Sequence, residues 1–142
     1  LFYSLLDKNK IITPHLGEFH KTFPNIKKNL NNIEKVLNAK KFVRCNIILK
    51  GPNTVIVSDN KKIVINNHAS SELAVIGSGD VLSGLVVSLV GQKKMNPFLA
   101  CCAATWIHGD IAKNHGKGLV AEDIVKGIPP ALKRLENGKF IK

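Results

Sequence analysis

The sequence is poor in cysteine, and the few cysteines present do not form a recognisable framework. Three occur among 142 residues: Cys45, Cys101 and Cys102. Because their number is odd and they show no C-x-x-C spacing, a disulfide framework is not indicated. They lie in apolar segments, where a free thiol behaves as a small hydrophobic side chain. We therefore expect a reduced, cytoplasmic protein.

Long hydrophobic runs are also missing. The longest, around residues 85–90 and 98–102, are interrupted by Ser, Gly, Gln or Lys, before they reach the roughly 20 apolar residues that a membrane-spanning helix needs. The opening LFYSLLDKNK contains no basic leader and no small-residue cleavage site, so a signal peptide is not expected. The chain begins without Met, inside what reads as an amphipathic helix. We expect a fragment with no membrane partner.

Arginine is scarce although the chain is strongly basic. The formal net charge is +11, and lysine supplies almost all of it. Only Arg44 and Arg134 offer the planar, forked donor set that recognises phosphate or guanine. The lysines are scattered and no nucleic-acid motif accompanies them, so we expect no nucleic-acid partner. The oligomeric state stays open, a homo-oligomer included.

What the chain does contain is an alternation of strand and helix patterns in one domain-sized unit. With 44% hydrophobic residues, 142 residues suffice for a single hydrophobic core. Residues 45–49 are almost wholly apolar, which is typical of a strand covered on both faces. The pattern predicts an α/β layered fold with helices flanking a mainly parallel sheet. The expected elements are strands at 11–13, 45–49, 55–57 and 63–65, the last two forming a hairpin, and helices at 16–23, 26–37, 80–90 and 97–114. Asn96 is the expected cap of the helix at 97–114 and Pro97 its first-turn proline. Two last helical segments are expected to be separated at Pro129 and Pro130.

A glycine turn precedes the most hydrophobic predicted helix, in the stretch LAVIGSGDVLSGLVVSL at 73–89. The first N–H groups of a helix lack carbonyl partners and lie at the positive end of its dipole. Gly77 and Gly79 carry no side chain that would keep a phosphate from these donors. Asp80, beside that anion, suits a base that takes a proton from an attacking hydroxyl. An ordinary first-turn acid, with glycines that allow tight packing, is the alternative.

A second polar turn, KGPNT at 50–54, directly follows the buried strand. Open α/β sheets bind ligands at the carboxyl ends of their strands. Lys50 is placed there to meet a nucleotide phosphate, and Thr54 to supply a hydroxyl. An ordinary Gly-Pro turn with a solvated lysine explains the stretch equally well.

A third polar turn, TPHLGE at 13–18, follows the first short strand. His15 and Glu18 are three residues apart, so both would face one cleft; a helix cap made by Glu18 is the alternative. H-x-x-E is not a zinc signature, and we predict no protein ligands for a metal. His108, in the long helix, is interpreted as a packing or capping residue.

Taken together, these motifs resemble one known family. TPHLGEF, ILKGPNTVIV and LAVIGSGDVLSGLVVSL occur in this order and are followed by AATWIHGDIAK and LVAEDIVKGIPPAL. The set resembles the C-terminal half of the ADP/ATP-dependent NAD(P)H-hydrate dehydratases, the YjeF C-terminal-type branch of the ribokinase-like fold. Residues 1–142 would form the C-terminal part of one such domain. Ile76 departs from the pattern, since family members usually carry Gly or Ala there and a β-branched residue does not suit a positive φ.

The resemblance implies an enzyme that repairs a nucleotide metabolite. Water added across a double bond of the NADH or NADPH ring, in the S form of the hydrate, would be removed by phosphorylating the hydroxyl and losing phosphate. ADP or ATP would be the donor, with Mg²⁺ expected alongside. Asp80 would be the base, and His15, Glu18 and Asp80 would contact the hydrate. The nucleotide would be held by Lys50, Gly51, Pro52, Asn53, Thr54, Gly77, Ser78 and Gly79.

Two other interpretations stay open. Small-molecule kinases of the hydroxyethylthiazole or hydroxymethylpyrimidine type share the G-x-G-D turn, although T-P-H-x-G-E favours the dehydratase. A truncated or split-gene remnant would retain nucleotide binding only. In the family the N-terminal half supplies core strands and much of the hydrate pocket, and one buried parallel strand is fewer than an open sheet usually contains. We therefore expect the chain to be inactive unless a separately encoded N-terminal half completes it.

Overall fold

Two helical layers enclose a central sheet in the computed structural model, which describes residues 2–136. The four strands are, in spatial order, β1 (Ile11–Ile12), β2 (Asn46–Leu49), β3 (Thr54–Val57) and β4 (Ile63–Asn66). The helices are α1 (Leu16–Thr22), α2 (Asn32–Ala39), α3 (Ser78–Gly91), α4 (Pro97–His115) and α5 (Ala121–Glu136), with 3₁₀ turns at Phe2–Leu5 and Ser71–Leu73. The predicted α/β layered class is confirmed.

Side chains of the two central strands alternate between two hydrophobic cores. Ile47 and Leu49 of β2 contribute to a core shared with α1 and α2, whereas Ile48 contributes to a core shared with α3, α4 and α5. β3 alternates in the same way, with Ile56 on the side of Ile48. All residues of both strands are buried, because helices cover both faces of the sheet. The predicted burial of the strand at 45–49 is confirmed.

The strand directions correct the prediction of a mainly parallel sheet. Within residues 2–136, β1 and β2 pair in parallel, whereas β2 with β3 and β3 with β4 pair antiparallel. The reason is the length of the connections. Residues 50–53 and 58–62 join their strands directly, and a parallel pairing would need a crossover of about a dozen residues or more. The chain between β1 and β2 contains α1 and α2, and this crossover permits the one parallel pair.

Helix starts follow their capping residues. α4 begins at Pro97 after the N-cap Asn96, whose Oδ1 accepts from two first-turn N–H groups, as the sequence predicts. The start of α2 corrects the predicted helix at 26–37. Asn31 forms a capping box with the third helical residue, so the helix begins at Asn32.

The last helix is continuous, which corrects the prediction of two segments. α5 runs through Pro129 and Pro130. Each proline lacks an N–H, so the carbonyls of residues 125–126 lose their usual donors. Those two residues are exposed, and water can bond their carbonyls, while Ile124 and Ala131 stay buried. Packing of the apolar face therefore maintains the helix across the prolines.

The cysteines behave as hydrophobic side chains. Cys45 and Cys101 are buried, Cys102 is half-buried, and all three are free. Burial raises the pKa of Cys101 to about 12 and also raises the pKa of Cys45 and of Cys102. These thiols are therefore protonated and unreactive at neutral pH.

In the described part of the chain, no helix combines the length and the apolar character that crossing a bilayer requires.

Candidate functional site

The glycine turn before α3 has the backbone form of an anion site. Gly77 is the N-cap, with φ of +85°, and no side chain caps the helix. Within residues 2–136, neither the Gly77 N–H nor the Gly79 N–H donates to a protein acceptor, whereas the Asp80 N–H donates to the Gly77 carbonyl at 3.1 Å. Ile76 is fully exposed and has no positive φ, so its β-branched side chain causes no strain there.

The turns that follow β1 and β2 lie side by side. His15 and Lys50 form a parallel bridge that extends the β1–β2 pairing, and the Lys50 N–H donates to the Pro14 carbonyl at 2.9 Å. The Lys50 ammonium reaches the glycine turn, since a Cβ added to Gly79 would lie 3.0 Å from Lys50 Nζ. The structure thus brings together the three polar turns identified in the sequence.

His15 and Glu18 cap α1 together and face Lys50. His15 Nδ1 accepts from the Gly17 N–H at 3.0 Å and from the Glu18 N–H at 3.3 Å, while Glu18 accepts from the His15 N–H at 2.8 Å. Glu18 also lies 3.3 Å from His15 Nε2 and 3.8 Å from Lys50 Nζ. The His15 N–H first, and then the Lys50 charge, lower the pKa of Glu18. The carboxylate therefore serves both as a helix cap and as a partner of Lys50.

Two depressions meet at Lys50 and Gly79, which line both. The larger, of about 530 Å³, is formed by the 50–54 turn, the segment before α3, the start of α3 and one face of α4. The smaller, of about 320 Å³, contains Glu18 and the exposed Asp80. His15 lines the larger depression and not the one that holds Asp80. Glu18 and Asp80, two of the residues that the sequence assigned to the hydrate, line the smaller depression, and His15 adjoins it through its contact with Glu18.

The 50–54 turn contributes unequally to the larger depression. Gly51, Pro52 and Thr54 line it, whereas Asn53 is exposed and lines neither depression. The Thr54 hydroxyl donates to the Gly51 carbonyl at 3.0 Å and accepts from the Gly51 N–H at 3.3 Å. Its hydrogen bonds therefore stabilise the turn itself.

Ser78, which the sequence assigned to the nucleotide site, forms a buried pair with His108, which the sequence interpreted as a packing or capping residue. His108 Nε2 lies 3.1 Å from the Ser78 hydroxyl and 3.0 Å from the Ser78 carbonyl oxygen. Both residues line the larger depression, and burial lowers the pKa of His108 to about 4. A signal was present in the sequence. Thr105 and His108 interrupt the apolar stripe of α4 at a spacing of three, so both polar side chains occur on its buried face.

Metal-ligating side chains are not clustered in the described part of the chain. No group of three or more His, Cys, Asp and Glu residues within 2–136 is placed to hold a metal ion.

Sequence comparisons identify relatives whose names refer to NAD(P)H hydrate. A family model described as NAD(P)H-hydrate dehydratase matches residues 3–130. The ADP-dependent (S)-NAD(P)H-hydrate dehydratase of Neisseria meningitidis is 32% identical over 137 residues, which are 92% of this chain and 45% of that protein. The bifunctional NAD(P)H-hydrate repair enzyme Nnr of Thermosynechococcus vestitus is 31% identical, over 91% of this chain and 26% of that protein. The chain thus spans less than half the length of these relatives.

Solved structures of similar fold agree with this comparison. The ADP/ATP-dependent NAD(P)H-hydrate dehydratase from Bacillus subtilis, co-crystallised with ATP and Mg²⁺, has a TM-score of 0.75 and 26% identity, over 91% of this chain and 52% of that one. A ribokinase-like superfamily protein from Enterococcus faecalis has a TM-score of 0.78 at 19% identity, over 90% of this chain and 45% of that one. The second similarity concerns the fold alone.

Proposed function

The chain belongs to the NAD(P)H-hydrate dehydratase family, since the family model matches residues 3–130, and from this premise we propose that it carries the phosphoryl-transfer site of an ADP- or ATP-dependent dehydratase. The substrate would be the S form of NADH or NADPH hydrate. The observation that carries the proposal is the boundary formed by Lys50 and Gly79 between two depressions. Such a boundary suits the transfer of a group from a ligand on one side to a ligand on the other.

We place the nucleotide in the larger depression, with its terminal phosphate at the glycine turn. The Gly77 and Gly79 N–H groups have no protein acceptor among the described residues, and the positive end of the α3 dipole adds to their attraction for an anion. Lys50 Nζ lies against Gly79 and would neutralise charge on the transferring group. Gly51, Pro52 and Thr54 line the same depression and would contact the remainder of the nucleotide. Ser78, the buried first residue of α3, lines the same depression.

We place the hydrate hydroxyl in the smaller depression, beside Asp80. This carboxylate is exposed there and lies one residue beyond Gly79. Asp80 would take the hydroxyl proton while the oxygen forms a bond to the terminal phosphorus of the donor. The phosphoanhydride bond breaks at the same time, releasing AMP from ADP or ADP from ATP. His15 and Glu18, on either side of Lys50, would contact the hydrate where the two ligands meet.

Phosphorylation would make the second step possible, because phosphate leaves a carbon atom far more readily than hydroxide does. The ring nitrogen lone pair expels the phosphate as the carbon–oxygen bond breaks. Loss of a proton from the neighbouring ring carbon then restores the double bond of NADH or NADPH. The chain's contribution to this step is the pair of N–H groups and the Lys50 ammonium, which would stabilise the departing phosphate.

Mg²⁺ fits this arrangement as an ion carried by the nucleotide phosphates. At phosphate-bearing sites Mg²⁺ usually keeps several waters and takes one or two carboxylates from the protein. Glu18 borders the depression into which the phosphoryl group would be transferred and would be the carboxylate available to the ion, because Asp80 must stay free to accept the hydroxyl proton. Mg²⁺ would supply additional neutralisation of phosphate charge.

The whole reaction is proposed to need the part of the relatives that the match does not cover. The match covers 45% of the Neisseria meningitidis relative, so more than half of that protein has no counterpart here. A separately encoded N-terminal half would supply the rest of the hydrate pocket. The free thiols agree with a reducing, cytoplasmic setting.

A thermal-shift titration with ADP and ATP in the presence of Mg²⁺ tests the nucleotide site. The melting temperature should rise with nucleotide concentration, because a ligand that binds only the folded state stabilises it. Lys50→Ala should weaken this response by about tenfold in apparent affinity, whereas Asp80→Ala should keep most of it. Lys126→Ala, an exposed lysine on α5, is the matched control. No rise in the melting temperature of the unsubstituted chain would contradict the proposal.

A further inference from the structure

The Ser78–Gly79 peptide group lies between a buried histidine and the proposed phosphate position. Its carbonyl oxygen, which belongs to Ser78, is 3.0 Å from His108 Nε2. Its N–H, which belongs to Gly79, donates to no protein acceptor within residues 2–136. The two ends of one peptide plane therefore have different surroundings.

A planar trans peptide couples the directions of these two ends. The carbonyl oxygen and the amide hydrogen lie in the same rigid plane and point in opposite directions from the C–N bond, so a hydrogen bond that fixes the oxygen also fixes the direction of the N–H. A hydrogen bond to the carbonyl also polarises the peptide and strengthens its N–H as a donor. Contacts at the Ser78 carbonyl therefore influence both the direction and the donor strength of the Gly79 N–H.

The protonation of His108 can be assigned from the acceptor. A carbonyl oxygen only accepts, so Nε2 must carry the proton that it shares with Ser78. The Ser78 hydroxyl, 3.1 Å from the same nitrogen, adds a second contact on the same side of the ring. His108 is 6% exposed and lines the larger depression. It is therefore held between α4 and the first turn of α3.

We propose that His108 is a positioning residue, which orients and polarises the Ser78–Gly79 peptide so that the Gly79 N–H binds the terminal phosphate of the nucleotide. The proposal rests on the proposed function, because it requires the glycine turn to bind a phosphate. His108 itself does not contact the phosphate. The ring acts through the peptide, and its effect should therefore be specific for ligands that place a phosphate at Gly79.

The first test compares ADP with AMP, which lacks the terminal phosphate. The dissociation constants of both nucleotides are measured for the unsubstituted chain, His108→Leu and His108→Gln by NMR titration with Mg²⁺ present. The unsubstituted chain should prefer ADP. His108→Leu, which has no donor, should lose about tenfold of that preference with little change in AMP binding. His108→Gln, whose amide nitrogen can take the place of Nε2, should recover most of it. His20→Leu, on α1 and outside both depressions, is the matched control.

The outcomes separate the inference from the proposed function. Equal weakening of ADP and AMP in His108→Leu would indicate a purely structural role and overturn the inference alone. So would an unsubstituted chain that binds both nucleotides equally. If the unsubstituted chain bound neither nucleotide, the proposed function would be contradicted and the inference with it.

A second measurement needs no substitution, in case His108→Leu does not fold. Long-range ¹⁵N correlation spectra of the unsubstituted chain report which imidazole nitrogen carries the proton. We expect the Nε2–H tautomer for His108 at neutral pH, and a shift of the Gly79 amide signal on addition of ADP that AMP does not reproduce. An Nδ1–H tautomer would overturn the proposal, since Nε2 would then have no proton to donate to Ser78.

Discussion

At the scale of single residues, glycines in and near α3 have opposite roles. A Cβ on Gly79 would lie 3.0 Å from Lys50 Nζ, and Gly77 adopts a φ of +85° that other residues rarely adopt. Gly84, in the same helix, has no atom within 4 Å of an added Cβ. The turn requires glycine at positions 77 and 79, whereas the surroundings of Gly84 leave space for a larger side chain.

This difference predicts opposite results for two alanine substitutions in one helix. Gly79→Ala should weaken ADP binding by about tenfold or more, because the methyl group would occupy the space of the phosphate and the Lys50 ammonium. Gly84→Ala should leave ADP binding unchanged and raise the free energy of unfolding by about 0.5–1 kcal/mol, as expected for glycine replaced by alanine inside a helix. Calorimetric titration and urea unfolding would measure the two effects. Equal ADP affinity in both variants would contradict the assigned role of the turn.

The buried His108 predicts a dependence of stability on pH. Burial lowers its pKa from 6.5 to about 4, so between these values the unfolded chain binds a proton that the folded chain does not. The contribution of His108 to stability is therefore fully present above pH 6.5 and is lost as the pH decreases towards 4. The full loss is on the order of 3 kcal/mol.

The measurement is urea unfolding at several pH values for the unsubstituted chain and His108→Gln. The difference in unfolding free energy between the two should change across this pH window, with the unsubstituted chain losing more stability on acidification. Parallel curves would show that His108 is not held neutral by burial.

At the scale of helices, one ion pair holds α5 against α4. Asp110 of α4 is 6% exposed, and Arg134 of α5 donates to its Oδ2 from Nε at 3.1 Å and from Nη2 at 2.6 Å. Asn114 donates to Oδ1 of the same carboxylate at 3.1 Å. The pair therefore fixes the end of α5, beyond the two prolines.

Arg134→Ala should remove the guanidinium partner of the buried Asp110 carboxylate, which would keep only the Asn114 amide and His68, whose Nε2 lies 3.6 Å from Oδ1. Removing one partner of a buried ion pair costs about 3–5 kcal/mol, and because Arg134 is partly exposed we expect the lower end of this range. Lys133→Ala, an exposed neighbour, should change the unfolding free energy by less than about 0.5 kcal/mol. Circular dichroism during urea unfolding would compare the two variants. A similar midpoint for both would show that packing alone holds α5.

At the scale of the whole molecule, the sheet has an incomplete edge next to the site. Within residues 2–136, β1 pairs with β2 on one side and with no strand on the other. Phe2, 58% exposed, and Ile12 of β1 line the smaller depression together with Asp80. An unpaired edge and an exposed aromatic side chain are unfavourable in an isolated domain. Both lie at the smaller depression, beside Asp80.

We predict that adding the N-terminal portion of a relative, which the match does not cover, allows the chain to regenerate NADH from its hydrate. The chain alone should bind nucleotide but not regenerate NADH from its hydrate. A chimera that places the unmatched N-terminal portion of the Neisseria meningitidis relative before this chain should regenerate NADH in the presence of ADP, followed by its absorbance. The same chimera with Asp80→Asn should be slower by a factor on the order of 10²–10⁴, which is typical of a lost general base. Regeneration of NADH by the chain alone would refute the need for a second half.

The sequence by itself determined most of the elements and the three motifs, because each of these depends on neighbours along the chain. The run at 45–49 predicted a buried strand, Asn96 and Pro97 predicted the start of α4, and the pair of glycines predicted an open helix start. Local capping, hydrophobic periodicity and backbone freedom act over a few residues, and a sequence pattern records them directly.

Only the tertiary structure decided how these parts combine. The antiparallel pairing of β2 with β3, and the continuity of α5 across its prolines, depend on packing between elements. That Glu18 and Asp80 line one depression, with Lys50 and Gly79 between it and the larger one, could not be deduced from spacing, since these residues meet only in the folded chain. His108 is the clearest case. It is 30 residues from Ser78 in sequence, and its hydrogen bond exists because α4 packs against the start of α3.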